Sequence, residues 1–105
     1  MRALILLLIA MPALATEHVV TQAGLQFGVD GAKADRLAIK PGDTVVFRND
    51  DRFAHTVFSR SNGQAFDLGL LRPGASAQRR FATPGMIEVE CAMHPQMKLR
   101  IEVAR

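Results

Sequence analysis

The chain has 105 residues, 13 Lys plus Arg against 10 Asp plus Glu, and a single cysteine. That length holds one small domain, and a net charge of +3 is too slight to argue for nucleic-acid or membrane binding. One thiol cannot form an internal disulfide, so a disulfide-stapled scaffold is excluded.

From the N-terminus, a positive Arg2, the apolar run Ala3 to Met11 and the small-x-small triplet Ala13-Leu14-Ala15 predict a signal peptide over residues 1–15. The apolar run is about half of the ~20 residues a spanning helix needs, so a permanent anchor is disfavoured. The residue after the expected cut is Thr16 rather than a cysteine, which gives a lipid no attachment point. The expected mature domain, residues 16–105, carries 12 basic against 10 acidic residues and no membrane anchor. Export to an oxidising compartment, the periplasm, makes an unprotected thiol a liability.

The mature chain reads as short β-type runs punctuated by turns. Leu25 to Ala34, with Gly24, Gly28 and Gly31, is irregular and reads as a hairpin or an edge excursion. Pro41-Gly42, Pro73-Gly74 and Pro84-Gly85 mark turns. Thr44 to Asn49, His55 to Phe58 and Gln78 to Phe81 are short strands by composition. In Met86 to Cys91, the residues Ile87, Val89 and Cys91 share a face opposite Glu88 and Glu90, so the thiol emerges on the core side at a strand end. Lys98 to Val103 alternates in the same way, with Leu99, Ile101 and Val103 inward. Many short strands with Pro-Gly turns predict an all-β sandwich.

The segment Cys91-Ala92-Met93-His94-Pro95-Gln96-Met97 carries the chemistry. A thiolate, an imidazole three residues on and a thioether three further suit one soft metal ion, with His55 completing the set from another strand. Two histidines and a cysteine in a plane with a weak axial methionine are the donor set of a blue-copper electron-transfer site. Pro95 stiffens the loop and removes a backbone donor. Zinc accepts the same donors, but structural zinc sites favour two or more cysteines and have no use for a thioether. A Cys–His pair also serves cysteine proteases, yet here the histidine shares a short loop with the thiol and no orienting asparagine stands out. Met93 reads as surface or packing.

These residues resemble those of the cupredoxin family, most closely the amicyanin and plastocyanin-like group associated with methylamine utilisation. The likeness rests on His55, on Phe66-Asp67-Leu68-Gly69 with the following Arg72-Pro73-Gly74 turn, on Pro84-Gly85, and above all on the Cys91-x-x-His94-x-x-Met97 loop. It implies a Greek-key β-sandwich holding one type 1 copper through His55, Cys91, His94 and Met97. The implied role is a one-electron carrier cycling Cu(I)/Cu(II), a monomer meeting its redox partners (dehydrogenase or cytochrome type) transiently. By the same resemblance, His94 is the electron port within a patch of Met93, Pro95 and Phe53.

One position departs from the pattern. Similar proteins usually carry an asparagine after the first histidine, whose amide reaches the cysteine sulfur while its side chain ties two loops together. Here Thr56 can still donate its N–H, but its hydroxyl is short for bridging the loops. Residues around the ligands, Thr56 as a donor and Pro95 by stiffening the loop, tune a metal ligand.

Three further expectations follow. Arg48, Arg52, Arg60, Arg72, Arg79 and Arg80 read mainly as a solvated surface, with docking of an acidic partner as the alternative. A new N-terminus Thr16-Glu17-His18 has the spacing of a four-nitrogen Cu(II) or Ni(II) chelate, for which coincidence is the better account. Catalysis at a second copper centre lacks ligands, since His18 is the only histidine left; a copper chaperone or storage role is the alternative to electron transfer.

Overall fold

The computed structural model describes residues 14–105. The expected signal peptide falls mostly on residues 1–13, outside the described residues. The described residues form ten strands and no helix. In chain order these are β1 (Glu17–Ala23), β2 (Gln26–Val29), β3 (Ala32–Lys33), β4 (Arg36–Ile39), β5 (Asp43–Asn49), β6 (His55–Ser59), β7 (Phe66–Leu71), β8 (Ser76–Phe81), β9 (Gly85–Glu90) and β10 (Lys98–Val103).

They assemble as two five-stranded sheets, ordered β3-β2-β1-β5-β8 and β4-β10-β9-β6-β7. Successive strands repeatedly change sheet, as a Greek key requires. Most pairings are antiparallel, but β1 runs parallel to β5 and β4 parallel to β10, so both sheets are mixed. The irregular Leu25 to Ala34 region is both things expected of it: β2 and β3 form an antiparallel hairpin, and β3 is the sheet edge.

The turns follow from their residues. Asp43 N–H bonds Lys40 C=O at 3.0 Å across Pro41-Gly42, and Ala75 N–H bonds Arg72 C=O at 2.9 Å across Pro73-Gly74. Gly42 and Gly74 sit at φ +95° and +83°, the left-handed values that a proline-then-glycine type II turn demands.

The core lies between the sheets. One contributes Val20, Phe27, Val45, Phe47 and Phe81, the other Val57, Ile87, Val89, Leu99 and Ile101, all buried. Each such side chain contributes about 1.5–3 kcal/mol relative to exposure. The alternations read in β9 and β10 hold: Ile87, Val89 and Cys91 point inward, as do Leu99, Ile101 and Val103. At the same end of the sandwich, β5 finishes at Asn49, β6 begins at His55 and β9 finishes beside Cys91, bringing the β5–β6 and β9–β10 connections together.

Candidate metal centre

His55 is the first residue of β6, and its register partner on β7 is Leu71. The loop before it is held by Asn49, whose fully buried side chain bonds three backbone groups. The Asn49 amide donates to Phe53 C=O at 2.7 Å and to Leu71 C=O at 2.9 Å, and its carbonyl accepts from Asp51 N–H at 2.9 Å. An asparagine serves because it offers both donors and an acceptor from one short, rigid group.

Cys91 follows β9 on the inward face, as the alternation predicted. The loop after it makes two tight turns. The second is closed by Met97 N–H donating to His94 C=O at 2.9 Å, with Pro95 at the position a type I or II turn favours. This returns His94 toward Cys91 and delivers the chain into β10.

The result is a triangle of donor atoms. His55 Nδ1 lies 3.6 Å from Cys91 Sγ, His94 Nδ1 lies 3.9 Å from the same sulfur, and the two nitrogens are 3.2 Å apart. A circle through the corners of a triangle with those sides has a radius of about 2.1 Å, a metal–nitrogen or metal–sulfur bond length. The donor set therefore fits one ion lying between three atoms. His55 and Cys91 are 0% and 1% exposed while His94 is half-buried, so the centre is shielded from within and reachable only past His94. A thiol only 1% exposed does not suit a protease nucleophile.

Asp51, which sequence reading passed over, fixes the orientation of His55. Its Oδ2 lies 3.1 Å from His55 Nε2. A carboxylate accepts there, so the proton sits on Nε2 and the Nδ1 lone pair faces the triangle. Asp51 itself is held by the N–H groups of Leu25 at 3.1 Å and Arg52 at 2.9 Å. Those bonds, the Leu25 N–H first, keep its carboxyl below the ordinary range despite burial. The available signal was a carboxylate four residues before a ligand histidine, since metal-bound imidazoles commonly donate their other N–H to such a group.

Thr56 donates its backbone N–H to Cys91 Sγ at 3.4 Å, with its hydroxyl 3.8 Å from the same sulfur. Contrary to expectation, the hydroxyl does bridge the loops: Ala92 N–H donates to Thr56 Oγ1 at 2.8 Å. The asparagine is dispensable because β6 and the Cys91 loop lie close enough for a two-atom side chain to span them. Burial raises the Cys91 thiol, but the Thr56 N–H, the two imidazoles and the Met93 N–H more than offset it and bring it down to about 6. A thiolate is thus available at neutral pH.

The remaining candidates are placed as follows. Met97 is buried within the same core cluster as Cys91. Phe53, Met93 and Pro95 are exposed, and His94 is half-buried. Leu70, unread in the sequence, is also exposed and pairs with Thr56 across β6 and β7. The Thr16-Glu17-His18 segment leads into β1, and His18 Nε2 is 2.8 Å from the buried Asp43 carboxylate. A four-nitrogen chelate there would have to unpair the start of that strand, which supports the reading of coincidence.

A scan of protein-family models and a search of curated proteins each give no match. Solved structures do match. A Cu(I) amicyanin variant superposes at TM-score 0.72 with 21% identity, over 82% of this chain and 80% of that one. An oxidized amicyanin variant gives 0.72 and 22%, over 82% and 80%. A reduced Cu(I) amicyanin variant at pH 4 gives 0.72 and 22%, over 90% and 86%. Identity at that level speaks for the fold alone. In fold, the chain is a cupredoxin-like β-sandwich of the amicyanin type.

Proposed function

We propose that the protein is an exported, periplasmic one-electron carrier that holds one copper ion through His55, Cys91, His94 and Met97. The observation that carries this reading is the triangle of His55 Nδ1, Cys91 Sγ and His94 Nδ1, already sized for one ion. Bound there, copper supplies a Cu(I)/Cu(II) couple, with the Met97 thioether as the weak fourth donor.

The chain's own residues supply geometry and insulation. Asp51 keeps His55 in one tautomer, Asn49 fixes the loop that carries Asp51, and Thr56 joins the two ligand-bearing segments. Because these bonds preset the donors, little has to move when the charge at the site changes by one. Burial of His55 and Cys91 keeps water and oxidants off the thiolate, leaving the ring edge of His94 as the way in and out. Around that edge, Met93, Pro95, Phe53 and Leu70 offer a small apolar surface suited to brief encounters. The protein works as a monomer meeting a dehydrogenase or cytochrome in passing.

A copper chaperone or storage role is the competing reading. Delivery calls for ligands that a recipient can reach in turn, whereas two of the three clustered ligands here are sealed inside the sandwich. Voltammetry of the copper-loaded protein, with ion transfer to a chelating acceptor measured in parallel, separates the two. The carrier reading expects a reversible one-electron wave and slow loss of copper; fast loss with no reversible wave would select the handling role.

A further inference from the structure

We propose that Arg52 and Arg72 form a cationic rim on the electron port that docks a carboxylate-bearing surface of the redox partner; this rests on the carrier reading above. The Asn49 side chain bonds the carbonyls of Phe53 and Leu71 at once. It therefore brings the loop of Arg52 and the turn of Arg72 to the same end of the sandwich, next to His55. Both arginines are exposed there.

Their place beside the port, together with the absence of a carboxylate partner that they share with residues such as Arg80 and Arg100, sets these two apart. Arg36 pairs with Glu102, Arg48 with Asp50, Arg60 with Glu90 and Lys98 with Glu88. Among the described residues, Arg52 and Arg72 have no carboxylate partner. The acids nearest the port are committed elsewhere: Asp50 to Arg48 by two bonds, Asp51 to His55 and backbone amides, and Glu90 to Arg60. The two guanidiniums therefore place positive charge that no described side-chain carboxylate pairs at the edge of the port. The Arg52 guanidinium lies 5.5 Å from the centre of the Phe53 ring, which keeps the charge against the apolar patch.

This combination specifies a partner. The apolar centre of Phe53, Leu70 and Met93 permits close approach and quick release, while the two guanidiniums attract and orient carboxylates placed around the partner's own redox edge. A partner with lysines at that edge is repelled.

The test uses the reduced, copper-loaded protein in stopped flow against two c-type cytochromes, one acidic and one basic at the haem edge. One electron passes from protein to ferric haem, and no proton or atom moves. The double variant R52E/R72E is compared with wild type and with R80E, which lies on β8 opposite Thr44 at the far end of β5. The expected result is a rate with the acidic cytochrome that falls roughly tenfold or more in the double variant at low salt, with a gain for the basic one and little change in R80E. An unchanged visible spectrum shows that each variant is folded and loaded. Rates insensitive to both arginines, an equal effect of R80E, or a faster wild-type reaction with the basic cytochrome would overturn the proposal. Absence of the visible band in wild type would instead sink the carrier reading itself.

Discussion

The Thr56 hydroxyl accepts the Ala92 amide hydrogen at 2.8 Å, while the Thr56 amide reaches Cys91 Sγ at 3.4 Å. One residue on β6 thus bonds both the sulfur and the first residue of the loop that presents His94. Thr56→Val removes the hydroxyl and keeps shape and backbone. Urea unfolding of the copper-free protein should show a loss of about 1 kcal/mol. Losing the hydroxyl near the sulfur should also lower the reduction potential of the loaded protein, because the thiolate becomes a richer donor. Unchanged stability and potential together would remove Thr56 from the site's supporting structure.

Asp51→Asn tests the orientation of His55. One oxygen, Oδ2, serves both Leu25 and His55, so an amide oxygen there can still accept, but the negative charge that strengthens the bond to the imidazole is gone and an NH2 group faces the Arg52 N–H. Copper affinity, measured by competition with a chelator, should fall about 10–100-fold. Affinity equal to wild type would mean that packing alone orients the ring.

Asn49→Ala tests the scaffold beneath both. It leaves the carbonyls of Phe53 and Leu71 and the N–H of Asp51 without their partner, so unfolding free energy should drop by about 2–4 kcal/mol. A drop under ~0.5 kcal/mol would show that water replaces the carboxamide without loss.

Asp43 contributes to behaviour in acid. It is nearly fully buried and accepts from Thr16 N–H, from His18 and from Lys40 N–H. Those bonds, the Thr16 N–H first, hold its carboxyl at about 2 against a reference of 3.8. A carboxyl depressed on folding adds stability above its unfolded value and loses it as pH falls toward the folded one. Wild type should therefore lose stability between roughly pH 4 and 2. Asp43→Asn should be less stable at pH 6 and lose less across that window. Parallel denaturation curves for the two proteins across the whole range would contradict the assignment.

The parts of the fold legible in the sequence are those where period-two alternation survives. In β9 and β10 every inward position is apolar, and Cys91 could be placed on the core side from its alternation alone. In β1 the inward face includes Gln22, fully buried and donating to Thr56 C=O at 3.2 Å, so the pattern breaks where the strand is most enclosed. β7 holds Gly69 at φ +79° and an exposed Leu70, which interrupts its alternation. β4 is four residues long, and its parallel partner β10 lies some sixty positions away in the chain, beyond any local signal. The site divides the same way. The candidate ligands are a matter of residue type and spacing, and three of them, His55, Cys91 and His94, converge in the structure. Asp51 and Asn49 act through a loop path set by long-range pairing, and were not legible in the sequence.

The most direct test is the optical and electron paramagnetic resonance spectrum of the purified protein loaded with one equivalent of Cu(II). A trigonal thiolate–diimidazole site predicts an intense visible sulfur-to-copper band and a narrow parallel hyperfine splitting, both lost in Cys91→Ser. A colourless protein, or a broad splitting typical of tetragonal copper, would contradict the account.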